Sequence, residues 1–239
     1  MTPIQAAVYD DITSLASRLW TASGTVEGLN TDPKMFSVML FKRLWSNHRG
    51  YTVLFNANLP VESDIILRSG VEASICIAAM HHLGEEFVLL MKRDAAHTVS
   101  GQIKQHRDGD EADLVREAEA ILRDLLRGLP EGVKPAKLDW RDLATKGQVP
   151  VLYNIYRQLS GVSAHVTGMS ILPGVEFIGR PTPHDNFRKT TQKSHPLWMM
   201  AATLHGALLH AGMIDEVELL AEAVELAQRL NKATEDLAG

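Results

Sequence analysis

Apolar and polar residues alternate along most of this chain with the period of an α-helix. In residues 4–22, the apolar side chains of Ile12, Leu15 and Leu19 fall on one side of such a helix. Residues 111–127 repeat the pattern, with charged side chains on the opposite side. Short polar or glycine- and proline-containing stretches separate these segments, so we expect a single all-α domain, a bundle of about eight helices.

Local signals give the starts of several helices. Aspartate followed by proline favours a helix start, because the carboxylate caps the backbone and proline fits the first turn. Residues 32–33 carry this pair, and the helix after it either stops near Gly50 or resumes through residues 51–56. The other predicted first residues or caps are Asp139, Pro150, Pro196 and Asp215.

The most apolar segment lies in residues 61–93, which the pattern predicts to be one long helix. Residues 71–80 are apolar almost all round, and a helix of that kind is covered by neighbours on several sides. We therefore expect this helix at the centre of the bundle.

Three charged side chains enter this apolar helix on a single face. Asp64, Arg68 and Glu72 are spaced four residues apart, which aligns them along the helix. Unpaired buried charge is costly, so the alignment needs partners. One interpretation is a structural ladder of ion pairs that orients the helices. The other is a bound polar group held by Arg68, with Glu72 as its orienting group or base.

Residues 179–195 read as an irregular loop with a net charge of +3, within a chain of net charge −5. Phe187 lies beside Arg188 and Lys189, and aromatic with basic side chains suit nucleotide or nucleic-acid contact. We expect Arg188 and Lys189 to help hold an anionic ligand as part of a closing element. The alternatives are a solvated surface loop and a segment docked on the acidic last helix.

Charge and cysteine content narrow the class of protein. A net charge of −5 argues against nonspecific coating of nucleic acid, and the one cysteine, Cys76, excludes an intramolecular disulfide. No secretory signal and no membrane-spanning run are apparent, so we expect a cytoplasmic protein without a membrane partner.

Ten histidines raise the question of a metal site. The spacings typical of helical di-iron and zinc-protease sites do not occur, and neither do glycine-rich phosphate loops. His81 and His82 with Glu85 and Glu86 could begin a metal site, but a polar patch on the helix surface is favoured. The sequence therefore predicts no metal and no cofactor.

A second polar group follows the segment 150–161. Tyr156, Arg157 and Ser160 form a Tyr-Arg-x-Leu-Ser pattern, and His165 follows. Together with the arginine and glutamate of the central helix, this pattern resembles a bacterial all-helical family of unknown function, over residues 35–210. The resemblance implies a helical fold and, more loosely, similarity to HEPN-like helical bundles. The matching positions are Arg68, Glu72, Tyr156, Arg157, Ser160 and His165.

Two functions are consistent with these residues. The first is a HEPN-like ribonuclease or nucleic-acid-processing defence protein, in which Arg68, Tyr156 and Arg157 bind an anion or RNA. His165, Glu72 and Ser160 would then be the catalytic groups. The second is a non-catalytic protein that binds a small ligand or forms a homodimer through its helices. The Arg-to-His spacing of HEPN nucleases occurs from Arg43 to His48 and from Arg188 to His195, but no more often than expected by chance.

Overall fold

The computed structural model describes residues 2–29, 32–162 and 183–235, with the side chains of 2–29, 32–161 and 192–234. Every regular element in these ranges is an α-helix, which confirms the all-α prediction. The described helices are α1 (Pro3–Ser23), α2 (Pro33–Asn56), α3 (Pro60–Leu83), α4 (Glu85–Asp108), α5 (Ala112–Arg127), α6 (Trp140–Lys146), α7 (Pro150–Val162), α8 (Pro183–Met213) and α9 (Val217–Glu235).

Helix α3 lies at the centre of the bundle, as its composition predicts. It packs against α2, α4, α6, α7 and α8. Small residues allow these neighbours to come close, and on α8 one of them is Gly206. A Cβ atom added to Gly206 would lie 2.3 Å from Leu44 Cδ2 and 3.2 Å from Ile77 Cδ1. The interior therefore has little room for larger side chains along this seam.

The single long helix predicted for residues 61–93 is wrong. The chain breaks at Gly84, whose φ of 54° lies in the left-handed region that glycine adopts without strain. Helix α3 ends at Leu83, and α4 begins at Glu85. Apolar residues continue across the break, so their periodicity gave no sign of it.

The irregular loop predicted for residues 179–195 is wrong over residues 183–195, which form the first part of α8. Arg188 and Lys189 therefore lie on a helix and not on a loop that could close over a site. Residues 179–182 lie outside the described part of the chain. Pro196, predicted to open the helix, lies inside it instead.

The predicted helix caps are confirmed in two cases and wrong in a third. Asp32 Oδ1 accepts a hydrogen bond of 2.8 Å from the Lys34 amide, and Asp139 caps α6 in the same way. Helix α2 continues through Gly50 to Asn56. Asp215 does not cap the last helix, because its φ is 64° and its carboxylate pairs with Lys34 Nζ at 2.7 Å.

Cys76 is buried on α3, and burial raises the pKa of its thiol to about 12. The thiol is therefore neutral at physiological pH and slow to react. Among the described helices, none combines the length and apolar character that crossing a membrane requires.

Candidate functional site

The three charges aligned on α3 divide between two neighbouring sites. Arg68 Nη2 and Glu72 Oε1 form an ion pair at 3.1 Å. Asp64, one turn earlier, pairs with His195 of α8. The predicted common face exists, but the predicted continuous ladder does not form.

Asp64 and His195 form a buried pair between two distant parts of the chain. Asp64 Oδ1 lies 2.5 Å from His195 Nδ1, and the two side chains are 8% and 6% exposed. Trp198 covers the imidazole, with ring centroids 4.8 Å apart. Nδ1 donates its hydrogen to the carboxylate, so in the neutral form of the imidazole Nε2 is a hydrogen-bond acceptor.

A cavity of about 160 Å³ lies beside this pair, between the end of α2, the start of α3 and α8. The residues that line it include Tyr51 and Gln192, whose Oη and Nε2 atoms are buried and have no hydrogen-bond partner among the described residues. Leaving such an atom unpaired costs about 1–3 kcal/mol, so native proteins rarely do so without a reason. The cavity residues are Tyr51, Phe55, Asn58, Pro60, Ser63, Asp64, Gln192 and His195, which we call the Asp64–His195 pocket.

Tyr51 can act only as a neutral phenol in this pocket. Burial, and then the nearby Tyr9 and Asp64, raise the pKa of the Tyr51 hydroxyl far above its ordinary value. Tyr51 Oη and Gln192 Nε2 are therefore two hydrogen-bond donors on residues that line the same cavity as His195. This arrangement matches a small molecule that offers both a hydrogen-bond acceptor and a hydrogen-bond donor.

Pro196 adds a backbone acceptor to the same part of α8. Proline has no amide hydrogen, so it removes the helical hydrogen bond that the carbonyl four residues earlier would accept. That carbonyl belongs to Gln192, a pocket residue. The proline therefore interrupts the backbone hydrogen bonding of the helix beside Gln192 and His195.

Arg68, Glu72 and Tyr156 come together as predicted, at a second site. The Arg68 guanidinium carbon lies 5.1 Å from the centroid of the Tyr156 ring. Arg68 Nε is buried and has no hydrogen-bond partner. Burial raises the pKa of Glu72, while Arg68 and Arg43 oppose that shift.

Of the remaining predicted site residues, Ser160 and Arg157 are described, and neither joins one of these two sites. Ser160 Oγ donates a hydrogen bond of 2.7 Å to the Tyr156 carbonyl, which uses its hydroxyl hydrogen inside α7. Arg157 is exposed. His165 lies outside the described residues, as do the side chains of Arg188 and Lys189.

Two other histidines, His48 and His210, are buried, and their place in the core was not predicted from the sequence. His48 lies between Thr13 Oγ1, at 2.8 Å from Nε2, and Thr203 Oγ1, at 2.9 Å from Nδ1. His210 lies between Ser23 Oγ, at 2.8 Å from Nε2, and Ser37 Oγ, at 2.6 Å from Nδ1. Each histidine links α1, α2 and α8, and we call the two groups the histidine clamps.

The hydrogen bonds of the clamps fix the tautomer of each ring. Thr13 donates its hydroxyl hydrogen to the Tyr9 carbonyl, and Ser23 donates its own to the Leu19 carbonyl. Since a hydroxyl has one hydrogen, Nε2 of each histidine must be the donor in its bond to Thr13 or Ser23. Nδ1 then accepts from the opposite hydroxyl, so both rings are neutral and fully paired.

The Arg43-to-His48 spacing does not form a nuclease site. Arg43 Nη2 donates to Ser69 Oγ at 3.2 Å, whereas His48 is enclosed in its clamp. In the part of the chain that the structure describes, no group of three or more histidine, cysteine or acidic side chains is placed to hold a metal ion.

The comparisons with known proteins leave the family of this chain open. No protein-family model, curated protein or solved structure matches it. The resemblance based on the Tyr-Arg-x-Leu-Ser pattern therefore stays a prediction, and the function must be inferred from the geometry.

Proposed function

We propose that this protein binds a small, uncharged polar molecule in the Asp64–His195 pocket. The observation that carries the proposal is the pair of unpartnered buried donors, Tyr51 Oη and Gln192 Nε2, on residues that line the cavity beside the buried Asp64–His195 pair. A ligand that accepts from these donors would replace hydrogen bonds that the chain itself does not supply.

The volume of the pocket indicates a small ligand. A cavity of about 160 Å³ holds roughly five water molecules. Pockets for drug-sized ligands measure about 300 Å³ or more. The volume therefore favours a compact molecule over a nucleotide or an RNA strand.

The charge of the pocket indicates an uncharged ligand. Among the pocket residues that the structure describes, Asp64 is the one acidic residue, and none is a lysine or an arginine. An anion would meet this carboxylate without a compensating cation, at a considerable desolvation cost. A cation without lone pairs would leave both unpartnered donors unsatisfied. An amide or a hydroxy compound fits, since it accepts from Tyr51 and Gln192 and donates to His195.

The same pocket has the parts of an acid–base site. A carboxylate that accepts from Nδ1 orients the imidazole and supports a positive charge on it, which suits a ring that takes a proton through Nε2. Acid–base chemistry on the bound molecule is thus the second candidate function. The ribonuclease, RNA and homodimer hypotheses stay predictions. The nuclease hypothesis in particular depends on His165.

Three probes of nearly equal shape and different charge test the proposal. Acetamide, acetate and acetamidinium would each be titrated into the isotopically labelled protein and followed by NMR. We expect saturable shifts at Tyr51 and His195 with acetamide, with about millimolar affinity for so small a molecule. Acetate and acetamidinium should bind at least about tenfold more weakly.

Gln192→Leu supplies the matched variant, because it removes one unpartnered donor and keeps the size of the side chain. It should weaken acetamide binding, whereas Tyr9→Phe, outside the pocket lining, should leave binding unchanged. Equal binding of acetamide and acetate, or undiminished binding in Gln192→Leu, would contradict the proposal.

A further inference from the structure

A further unpartnered donor, Nε of Arg68, lies on α3, one turn beyond Asp64. A guanidinium presents five N–H groups in a rigid fork that matches the oxygens of a carboxylate or phosphate. Glu72 lies 3.1 Å from one nitrogen, Nη2, while Nε is buried without a partner. The edge of the fork formed by Nε and Nη2 is therefore only half used.

The local charge around this fork is positive. Arg43 of α2 reaches the same region. Its positive charge, like the charge of Arg68, acts to lower the pKa of Glu72. Arg43 Nη2 is held by Ser69 Oγ, which also accepts from Asn47 Nδ2 at 3.1 Å. Within the described residues, two arginines thus act on one carboxylate, and one positive charge remains uncompensated.

Aromatic side chains hold Arg68 in place. Its guanidinium lies against Tyr156, whose ring in turn contacts Trp140 at 5.6 Å and Tyr153 at 6.0 Å between centroids. Stacking of this kind fixes the plane of a guanidinium, so little freedom is lost when a planar anion binds. The side chains of Arg68 and Glu72 are 21% and 25% exposed, which leaves the group within reach of solvent.

We propose that Arg68, assisted by Arg43, binds one oxyanion of a ligand, a carboxylate or a phosphate, in place of the Glu72 side chain. Two ligand oxygens would accept from Nε and Nη2, and the Glu72 carboxylate would move away into solvent. Glu72 thus occupies the site in the free protein and competes with the ligand. This site is separate from the Asp64–His195 pocket and differs from it in the charge of its ligand.

The competition gives a result that a purely structural ion pair would not give. Glu72→Gln should tighten anion binding, because it removes the competing charge and keeps the size of the side chain. Arg68→Lys should abolish binding, because an ammonium lacks the fork. Arg141→Gln is the matched control, since it removes an exposed arginine of α6, which also packs against α3.

The experiment follows the arginine Nε–H signals by NMR while inorganic phosphate and, separately, acetate are added at constant ionic strength. We expect binding of at least one anion at Arg68, about tenfold tighter in Glu72→Gln, lost in Arg68→Lys and unchanged in Arg141→Gln. Thermal unfolding of each variant shows whether it is folded. If Arg68→Lys does not fold, anion binding by Glu72→Gln decides the outcome.

No binding of either anion would overturn the proposal, as would Glu72→Gln binding no tighter than the wild type. Loss of binding in Arg141→Gln equal to that in Arg68→Lys would overturn it too. Acetamide shifts at Gln192 test the proposed function, and phosphate shifts at Arg68 test this second site. The two are read separately, so either proposal can be contradicted without the other.

Discussion

The buried histidines of this protein occupy two contrasting environments. In the histidine clamps, both ring nitrogens of His48 and of His210 bond to hydroxyl groups, and the hydrogen sits on Nε2. In the Asp64–His195 pocket, the hydrogen of the imidazole is on Nδ1, the partner is a carboxylate, and unpartnered donors lie beside it. Polar groups that are fully paired rigidify a fold, whereas unpaired ones mark a place where a further partner is expected.

The aromatic neighbours sharpen this contrast. His48 stacks on Tyr9 and His210 on Phe41, with centroids 4.7 Å and 4.6 Å apart. Each clamp is closed on its faces as well as at its edges, so a ligand has no access. His195 instead lies in the wall of a cavity. We therefore expect the clamps to contribute stability and the pocket to bind a ligand.

The largest predicted effect is the loss of a clamp. His48→Ala leaves Thr13 and Thr203 without their shared partner and opens a cavity in the core, so it should lower the free energy of unfolding by about 3–5 kcal/mol. Urea denaturation at neutral pH measures the change. His82→Ala, at an exposed histidine of α3, should cost less than about 0.5 kcal/mol. Similar losses in the two variants would remove the structural role of the clamp.

Acid should weaken the clamps next. Burial lowers the pKa of His48 to about 4 and that of His210 to about 3, from an unfolded value near 6.5. The unfolded chain therefore binds more protons, and stability falls as the pH drops below 6.5 toward these folded values. Near pH 5 the two histidines together contribute a slope of about 2.5 kcal/mol per pH unit.

Urea denaturation from pH 7 to pH 5 tests this dependence. His48→Gln has no titrating ring at one clamp. The part of the slope that comes from the two clamp histidines should therefore fall by about half relative to the wild type. A slope that does not change in His48→Gln would show that His48 is not buried as a neutral ring.

The sequence predicts the parts of this structure that depend on neighbouring residues. The caps at Asp32 and Asp139 and the bounds of α1 and α7 follow from local chemistry and apolar periodicity, and the structure confirms them. The break at Gly84 was missed because a left-handed glycine leaves no trace in the apolar pattern. The start of α8 was missed because a polar segment with an internal proline has the composition of a loop.

The candidate sites were predictable to different extents. Arg68 and Glu72 are one helical turn apart, so their pairing could be predicted from spacing alone. His195 pairs with Asp64 across 131 residues, and Thr203 reaches His48 across 155. Such pairs depend on how helices assemble. The one signal in the sequence was a carboxylate in an apolar helix that required a partner.

A matched pair of tyrosine substitutions tests the central claim, that the pocket keeps polar groups unpaired for a ligand. Tyr51 and Tyr9 are 1% and 4% exposed, but only Tyr9 Oη has a partner, Thr52 Oγ1 at 2.7 Å. The measurement is the free energy of unfolding of Tyr51→Phe and of Tyr9→Phe, each relative to the wild type, without ligand. Tyr9→Phe should lose about 1 kcal/mol, and Tyr51→Phe should be neutral or gain up to about 1 kcal/mol. An equal or larger loss in Tyr51→Phe would show that its hydroxyl is already satisfied in the free protein, and would contradict the account.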